Sequence, residues 1–199
     1  ADSVGLHSSG FVMVGLPYES HDERWATVDL LARSLIGRFR TSIFFPFPGT
    51  ESHTLAIQGG FIDPARAGTL TDFTESSCLD FGESENLFVE KLATCMPWFV
   101  NARAGEHHDF PAARRYQPLV DELLALDRAG WEAFKPRVRE LDRAVAAECA
   151  RAAELHYSIR FNAFMGVRSD FYLAEESGVE WLTAAAQPVP ERLRALALA

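Results

Sequence analysis

The chain has 199 residues, 48% of them hydrophobic and 12% aromatic, which is enough to bury a sizeable core in one domain, or in a partial domain with an appendage, and argues against disorder. Its net charge of -9 excludes the basic character on which binding to nucleic acid or to an anionic membrane surface depends. We therefore expect a small-molecule or protein partner.

The cysteines and the first residues indicate the compartment. Cys78, Cys95 and Cys149 are odd in number and widely spaced, which favours free thiols in a reducing compartment. The N-terminal residues contain no basic region or long apolar run, and no segment approaches the ~20 apolar residues of a membrane span. We expect a cytoplasmic protein with no membrane segment. The chain starts without Met shortly before an apolar strand, which predicts that the natural polypeptide begins well upstream.

The first predicted elements are a strand and a helix. Residues 10–15 are a short apolar run bounded by glycines, typical of a strand that is buried on both faces in a parallel sheet. Ser20 and Glu23 have the spacing of a capping box, which predicts the start of a helix. Gly37 is expected at the left-handed C-cap of that helix.

A second strand and a short helix follow. Residues 41–45 form another apolar run, and Thr50 can cap a helix that continues towards Gln58. The alternation of strand and helix predicts parallel strands with right-handed crossovers, as in an open α/β sheet or a β/α barrel.

The remainder of the chain is predicted to be mainly helical. The polar stretch before Glu83 is expected to be a long loop, and a helix from Ser84 should be kinked or ended early by Pro97. A polar boundary follows, and then amphipathic helices and one half-buried strand or extended segment. Those helices are expected at residues 118–127 and 131–155, with Pro136 in a first turn or kink. The strand is expected at residues 156–162. Residues 179–199 show no firm pattern.

The two strand ends carry the specific motifs. Residues 10–20 read Gly-Phe-Val-Met-Val-Gly-Leu-Pro-Tyr-Glu-Ser, and residues 42–51 read Ser-Ile-Phe-Phe-Pro-Phe-Pro-Gly-Thr-Glu. This ordered pair resembles the fifth and sixth strand regions of radical S-adenosylmethionine (SAM) enzymes, most closely the group whose members often carry a cobalamin-binding domain. That group usually has Gly-Leu-Pro-Gly-Glu-Thr and Pro-Tyr-Pro-Gly-Thr there, so Tyr18, Ser20 and Phe47 depart from the pattern. The similarity continues through residues 60–63 and covers about the first third of the chain.

The resemblance implies a fold and a cofactor site. Residues 1–104 are expected to form the last two β/α units of a partial TIM-type barrel and the following helix, and residues 105–199 a mainly helical extension. In the family these strand ends flank the adenosyl and methionyl parts of S-adenosylmethionine. The cofactor-binding residues implied here are Gly15, Leu16, Pro17 and Glu19, with Phe44 and Phe45 near the adenine.

One departure from the family matters most. The iron-sulfur cluster of these enzymes is held by a Cys-x3-Cys-x2-Cys motif, and this sequence has none. The resemblance therefore places the 4Fe-4S ligands in a missing N-terminal half of the barrel or in a separate cluster-bearing subunit. We expect the chain to be inactive alone and residues 10–15 to present an unpaired strand edge.

Two functions remain open after this reasoning. The first is that of an intact radical SAM enzyme, which cleaves S-adenosylmethionine reductively to start radical or methyl-transfer chemistry on an unidentified small molecule, with cobalamin as a candidate second cofactor. The second is a non-catalytic helical interaction module that docks on a cluster-bearing partner.

Three other groups of residues have a functional and a structural interpretation. Glu106, His107, His108 and Asp109 carry metal-ligand atoms, but adjacent side chains diverge, so we favour a solvated loop. Cys78 is a candidate hydrogen donor to substrate, although an ordinary loop or a small satellite core is the favoured interpretation. The alternation at His156, Tyr157, Arg160 and Asn162 could line a substrate surface, and a solvent-facing strand edge is favoured instead.

Overall fold

The computed structural model describes residues 8–62, 77–160 and 164–171. The elements in chain order are β1 (Ser9–Val14), α1 (His21–Ser34), β2 (Arg38–Ile43), α2 (Glu51–Gln58), α3 (Glu83–Ala104), α4 (Ala113–Ala125), α5 (Arg128–Phe134), a 3-10 turn (Lys135–Arg137), α6 (Val138–Arg151), β3 (Tyr157–Ile159) and β4 (Met165–Arg168). The fold is α/β, as predicted.

The described strands form one open, mixed sheet. Their order is β1-β2-β4-β3, in which β1 and β2 are parallel, while β4 is antiparallel to both of its neighbours. The parallel pairing predicted for the first two strands is confirmed. No barrel is formed by the strands within the described ranges, because β4 returns along β2 and closes that side of the sheet with a hairpin.

Helix α1 begins as predicted and ends earlier. The Ser20 hydroxyl accepts a hydrogen bond from the Glu23 amide (3.2 Å), and the Glu23 carboxylate accepts one from the Ser20 amide (2.8 Å). The left-handed C-cap is Leu35 (φ 46°), so its assignment to Gly37 was wrong. Gly37 is needed for another reason, since a Cβ there would lie 2.4 Å from the Phe171 ring.

Helix α3 is the buried central helix of the fold. Every residue from 86 to 101 is buried, and the helix contacts α1, α4 and the sheet. Most of these residues are apolar and they face all sides of the helix, as expected of a helix in the core, and the polar ones include Asn101, whose side chain is hydrogen-bonded there. The kink predicted at Pro97 is confirmed, with non-helical backbone at Cys95 (φ -115°, ψ 19°).

Side chains from α3 and α6 cover the outer edge of β3. The amide of Asn101 donates to the Tyr157 carbonyl (2.8 Å) and accepts from the Tyr157 N–H (2.7 Å), as a neighbouring strand would. The Asp142 carboxylate accepts from the Ile159 N–H (2.9 Å) and from the Trp98 indole (2.9 Å). This edge is therefore satisfied without another strand.

Strand β1 is exposed on one face. The prediction that it is buried on both faces was wrong, because the described helices cover the side of Val12 and Val14 only. On the other side Phe11 is 89% exposed and Met13 is 48% exposed. Among residues 8–62, 77–160 and 164–171 no strand pairs with the outer edge of β1, which agrees with the expected unpaired edge.

The later helices differ from their predicted bounds. Helix α4 starts at Ala113 and contains Pro118 in its interior, whereas a start at Pro118 was expected. The long helix predicted from Trp131 is broken into α5, the 3-10 turn that holds Pro136, and α6. Much of the predicted long loop, at 63–76, and the patternless stretch at 179–199 lie outside the described residues. In the described part of the chain, no helix combines the length and apolar character needed to cross a bilayer.

The first prediction concerns pH. Burial raises the pKa of Asp142 to about 6, although the hydrogen bonds from Trp98 and Ile159 lower it. The folded chain then holds a proton that the unfolded chain, with an ordinary Asp pKa of ~3.9, has already lost. Asp142 therefore contributes stability that is complete below about pH 4 and is lost as pH rises through about 6.

We expect the stability of the wild type relative to Asp142→Asn to fall by on the order of 2–3 kcal/mol between pH 4 and 7, since asparagine does not ionise. Urea unfolding across this pH range measures the difference. Glu140→Gln, which removes an exposed carboxylate from the same helix, should follow the wild-type profile. Parallel profiles for the wild type and Asp142→Asn would contradict the prediction.

Candidate functional site

The ends of β1 and β2 meet at one edge of the sheet. The strands are in register, with Val14 opposite Ile43, and the Phe44 N–H donates to the Val14 carbonyl (2.8 Å) just beyond them. The segments that follow the two strands therefore lie side by side. In open α/β sheets such carboxyl ends are the usual place for a ligand.

The segment after β1 folds into a tight turn around the Glu19 carboxylate. Oε2 of Glu19 accepts hydrogen bonds from the Gly15 N–H (2.5 Å) and the Leu16 N–H (3.3 Å). Its own N–H donates to the Leu16 carbonyl (3.1 Å), and the carboxylate is paired with the buried Arg24. Glu19 is thus used in shaping the turn.

Gly15 is required by its conformation and by its neighbours. Its φ of 78° is left-handed, and a Cβ would lie 3.3 Å from Val89 and 3.6 Å from Ile43. The close approach seen at this glycine is therefore to α3 and β2, on the buried side of the turn.

Tyr18 stands in a left-handed conformation where the resembled family has glycine. Its φ is 65°, and the side chain is 62% exposed. The ring packs edge-on against Phe61 at 4.9 Å, and its hydroxyl lies 2.8 Å from where a Cβ of Gly59 would be. This packing offsets a backbone strain of roughly 1–2 kcal/mol.

A cavity of about 220 Å³ lies at the β2 end. It is lined by Met13, Ser42, Ile43, Phe44, Phe45, Phe47, Thr50 and Ser52, with no charged side chain among them. It is smaller than the roughly 300–1,000 Å³ of a pocket that buries a drug-sized ligand. Its aromatic lining suits one planar apolar ring of a larger molecule.

The cavity has few free polar groups. The Ser42 hydroxyl donates to the Val12 carbonyl (3.3 Å), and the Thr50 hydroxyl donates to the Phe47 carbonyl (2.7 Å). Recognition here would depend mainly on shape and stacking.

The structure brings the six predicted cofactor residues to the same edge of the sheet in two groups. Phe44 and Phe45 line the cavity, whereas Gly15, Leu16, Pro17 and Glu19 form the adjoining turn and do not line it. Sequence reasoning missed Met13, Phe47 and Arg24. For Met13 a signal existed, because alternate residues of a strand share one face, and Met13 therefore shares a face with the predicted cofactor residue Gly15.

Cys78 lies behind the cavity. It is 2% exposed and belongs to a small apolar cluster with Ala56 and Leu79, against which Phe44 and Phe45 pack. Of the two structural interpretations of Cys78, an ordinary loop or a satellite core, the structure supports the satellite core.

The His and carboxylate group after α3 does not form a metal site. His107 Nε2 is 2.6 Å from the Asp29 carboxylate, and His108 Nε2 is 3.0 Å from the Arg33 carbonyl, so both rings connect this loop to α1. The His107 hydrogen bond lowers the pKa of Asp29, and Arg103 acts in the same direction. Within residues 8–62, 77–160 and 164–171, no three His, Cys, Asp or Glu side chains are grouped to hold a metal ion.

The predicted strand at His156 is buried. His156 and Tyr157 are 1% and 0% exposed, and the Tyr157 hydroxyl donates to the Ile36 carbonyl (2.6 Å). The solvent-facing interpretation was wrong, because Asn101 and Asp142 cover this edge. Asn162 lies outside the described residues.

No protein-family model, curated protein or solved structure gives a significant match to this chain.

The second prediction separates the two reasons for glycine at position 15. Gly60 also has a left-handed φ, of 73°, but a Cβ there would meet nothing within 4 Å. Gly60→Ala should therefore lower the free energy of unfolding by the strain alone, about 1 kcal/mol. Gly15→Ala should cost roughly 1 kcal/mol more, because Val89 must also move. Equal losses in urea unfolding would show that Val89 does not constrain the turn.

Proposed function

We propose that this chain supplies the C-terminal part of a radical SAM enzyme that, when intact, cleaves S-adenosylmethionine reductively to start radical or methyl-transfer chemistry on a small-molecule substrate. The observation that carries this proposal is the aromatic cavity at the adjoining ends of two parallel strands. Two of the residues that the motif resemblance implies, Phe44 and Phe45, line it.

The proposed fold is that of the last two β/α units of a partial TIM-type barrel. Parallel β1 and β2 with α1 between them have the expected order, and no other described strand pairs with the far side of β1. Phe11 and Met13, on the uncovered face, would then point into the barrel interior. The missing strands would extend the sheet from β1. The intact enzyme is proposed to be cytoplasmic.

Within this proposal, Phe44 and Phe45 hold the adenine ring by stacking. The Gly15–Glu19 turn borders the cofactor site on the side next to the cavity. A cavity of about 220 Å³ fits one ring and leaves the rest of S-adenosylmethionine outside it. When bound, a 4Fe-4S cluster supplies the electron for the cleavage.

The cysteines of this chain do not fit a cluster. Cys78, Cys95 and Cys149 are all buried, and burial raises the pKa of the Cys95 and Cys149 thiols. Cluster ligands must be thiolates, so these groups favour the wrong protonation state. The proposal therefore assigns the cluster to the missing barrel half of the same polypeptide, and cobalamin, if used, to another domain.

One observation favours the second candidate function, an interaction module that docks on a cluster-bearing partner. Phe11 is 89% exposed beside a strand edge that no other described strand covers, and such apolar edges mark sites where another chain adds a strand. Both candidates use the same surface, and they differ in whether the cluster belongs to the same polypeptide.

The third prediction tests the enzyme directly. The natural polypeptide that contains this sequence, purified anaerobically, should be larger than 22.1 kDa and hold about four irons per chain. With a strong reductant it should convert S-adenosylmethionine to 5′-deoxyadenosine. A native mass of 22.1 kDa without iron would overturn the catalytic proposal and favour the interaction module.

The fourth prediction tests the cavity in that enzyme. Phe44→Ala should raise the KM for S-adenosylmethionine roughly tenfold, because stacking of a base on an aromatic ring contributes about 1–3 kcal/mol. Leu30→Ala removes a 62% exposed apolar side chain from α1 and serves as the control, with an unchanged KM. A wild-type KM in Phe44→Ala would remove the cavity from the proposed site.

A further inference from the structure

Arg24 is a buried cation beside the Gly15–Glu19 turn, and all three of its guanidinium nitrogens are hydrogen-bonded. It lies in the first turns of α1 and is 1% exposed. Its Nε lies 3.3 Å from the Glu19 carboxylate, and one terminal nitrogen donates to the Glu19 carbonyl (2.8 Å). The other terminal nitrogen donates to the Glu85 carboxylate on α3, and the guanidinium lies over the Phe81 ring at 4.8 Å.

These contacts link three segments of the chain. Glu19 belongs to the turn after β1, Glu85 to the first turn of α3, and Phe81 to the loop before it. A planar guanidinium with donors in a fixed fork can serve several acceptors at once, and a lysine ammonium cannot reproduce that arrangement. Arg24 thus holds the turn against the buried central helix.

The same contacts orient the backbone N–H groups of Gly15 and Leu16. The Glu19 carboxylate that Arg24 holds is the acceptor for the N–H groups of Gly15 and Leu16. Without Arg24, a largely buried carboxylate would lose its counter-ion and would move towards water, because an unpaired buried charge is costly. Both amides would then lose their acceptor, and the turn would lose its shape.

The geometry points to Arg24 as a positioning residue for the strand-end site: through Glu19 it fixes the peptide groups of Gly15 and Leu16, and through Glu85 it anchors them to α3. This inference rests on the proposed function for its catalytic consequence. That Arg24 holds the turn through Glu19 and Glu85 does not depend on the proposed function. Arg24 touches no ligand under this inference and acts through Glu19.

The test compares Arg24→Lys with Arg33→Lys in the intact enzyme. Arg33 is on the same helix, and its side chain is 59% exposed in an ion pair with Asp29. For Arg24→Lys we expect the KM for S-adenosylmethionine to rise about tenfold with kcat within about twofold of wild type. Hydrogen exchange of residues 15 and 16, followed by mass spectrometry of short peptides, should become about tenfold faster. Arg33→Lys should change neither quantity.

Glu19→Gln provides a second variant that keeps Arg24. It should shift the KM and the exchange rate in the same direction, and the double variant should be no worse than the more severe single one, since both act through one contact. A purely structural role would instead lower kcat through loss of folded enzyme and leave the KM unchanged; that outcome, or unchanged exchange at residues 15 and 16, overturns the inference.

The two proposals fail in different ways. If the wild-type polypeptide forms no 5′-deoxyadenosine, the proposed function fails. The exchange experiment then still decides whether Arg24 holds the turn, because faster exchange in Arg24→Lys but not in Arg33→Lys requires no catalysis.

Discussion

The fold depends on the exchange of two hydrogen bonds between the Asn101 side chain and the backbone of Tyr157. A helix does not ordinarily pair with a strand edge, because its own backbone groups are already used. An amide side chain carries both a donor and an acceptor, so Asn101 can replace a neighbouring strand at one residue. Asp142 and the Tyr116 hydroxyl complete the cover, the latter with a 3.2 Å bond to the same carbonyl. The short β3 is thereby fixed to the core, and β4 is fixed against β2.

The same central helix determines the strand-end site. Val89 fills the space beside Gly15, and Glu85 anchors Arg24, so one helix contacts the turn at two points. Its opposite end holds β3. A substitution that shifts α3 is therefore expected to affect the sheet and the candidate site together, since a close-packed interior transmits strain.

The sequence predicted the features that depend on neighbouring residues. The capping box of α1, the strand and helix alternation and the kink near Pro97 are all local signals, and the structure confirms them. Burial of β1 was predicted wrongly because it depends on what covers the strand, which a run of apolar residues does not specify. The close contact at Gly37 and the cover over β3 arise from residues distant in the chain, with Phe171 beside Gly37 and Asn101 beside Tyr157. In the candidate site, the motif resemblance predicted Phe44 and Phe45, which line the cavity, whereas Arg24 reads as an ordinary helix residue until its three partners are seen together.

Tyr18, Gly59 and Phe61 form a set that constrains sequence change. The Tyr18 hydroxyl and the Phe61 ring together fill the space in which any side chain at position 59 would begin. The Phe61 ring in turn supports a tyrosine whose backbone would otherwise favour glycine. Related sequences should therefore vary at these positions in a correlated way: a glycine at position 18 with a small residue at position 61 would release position 59 from glycine, and an aromatic pair would restore the restriction.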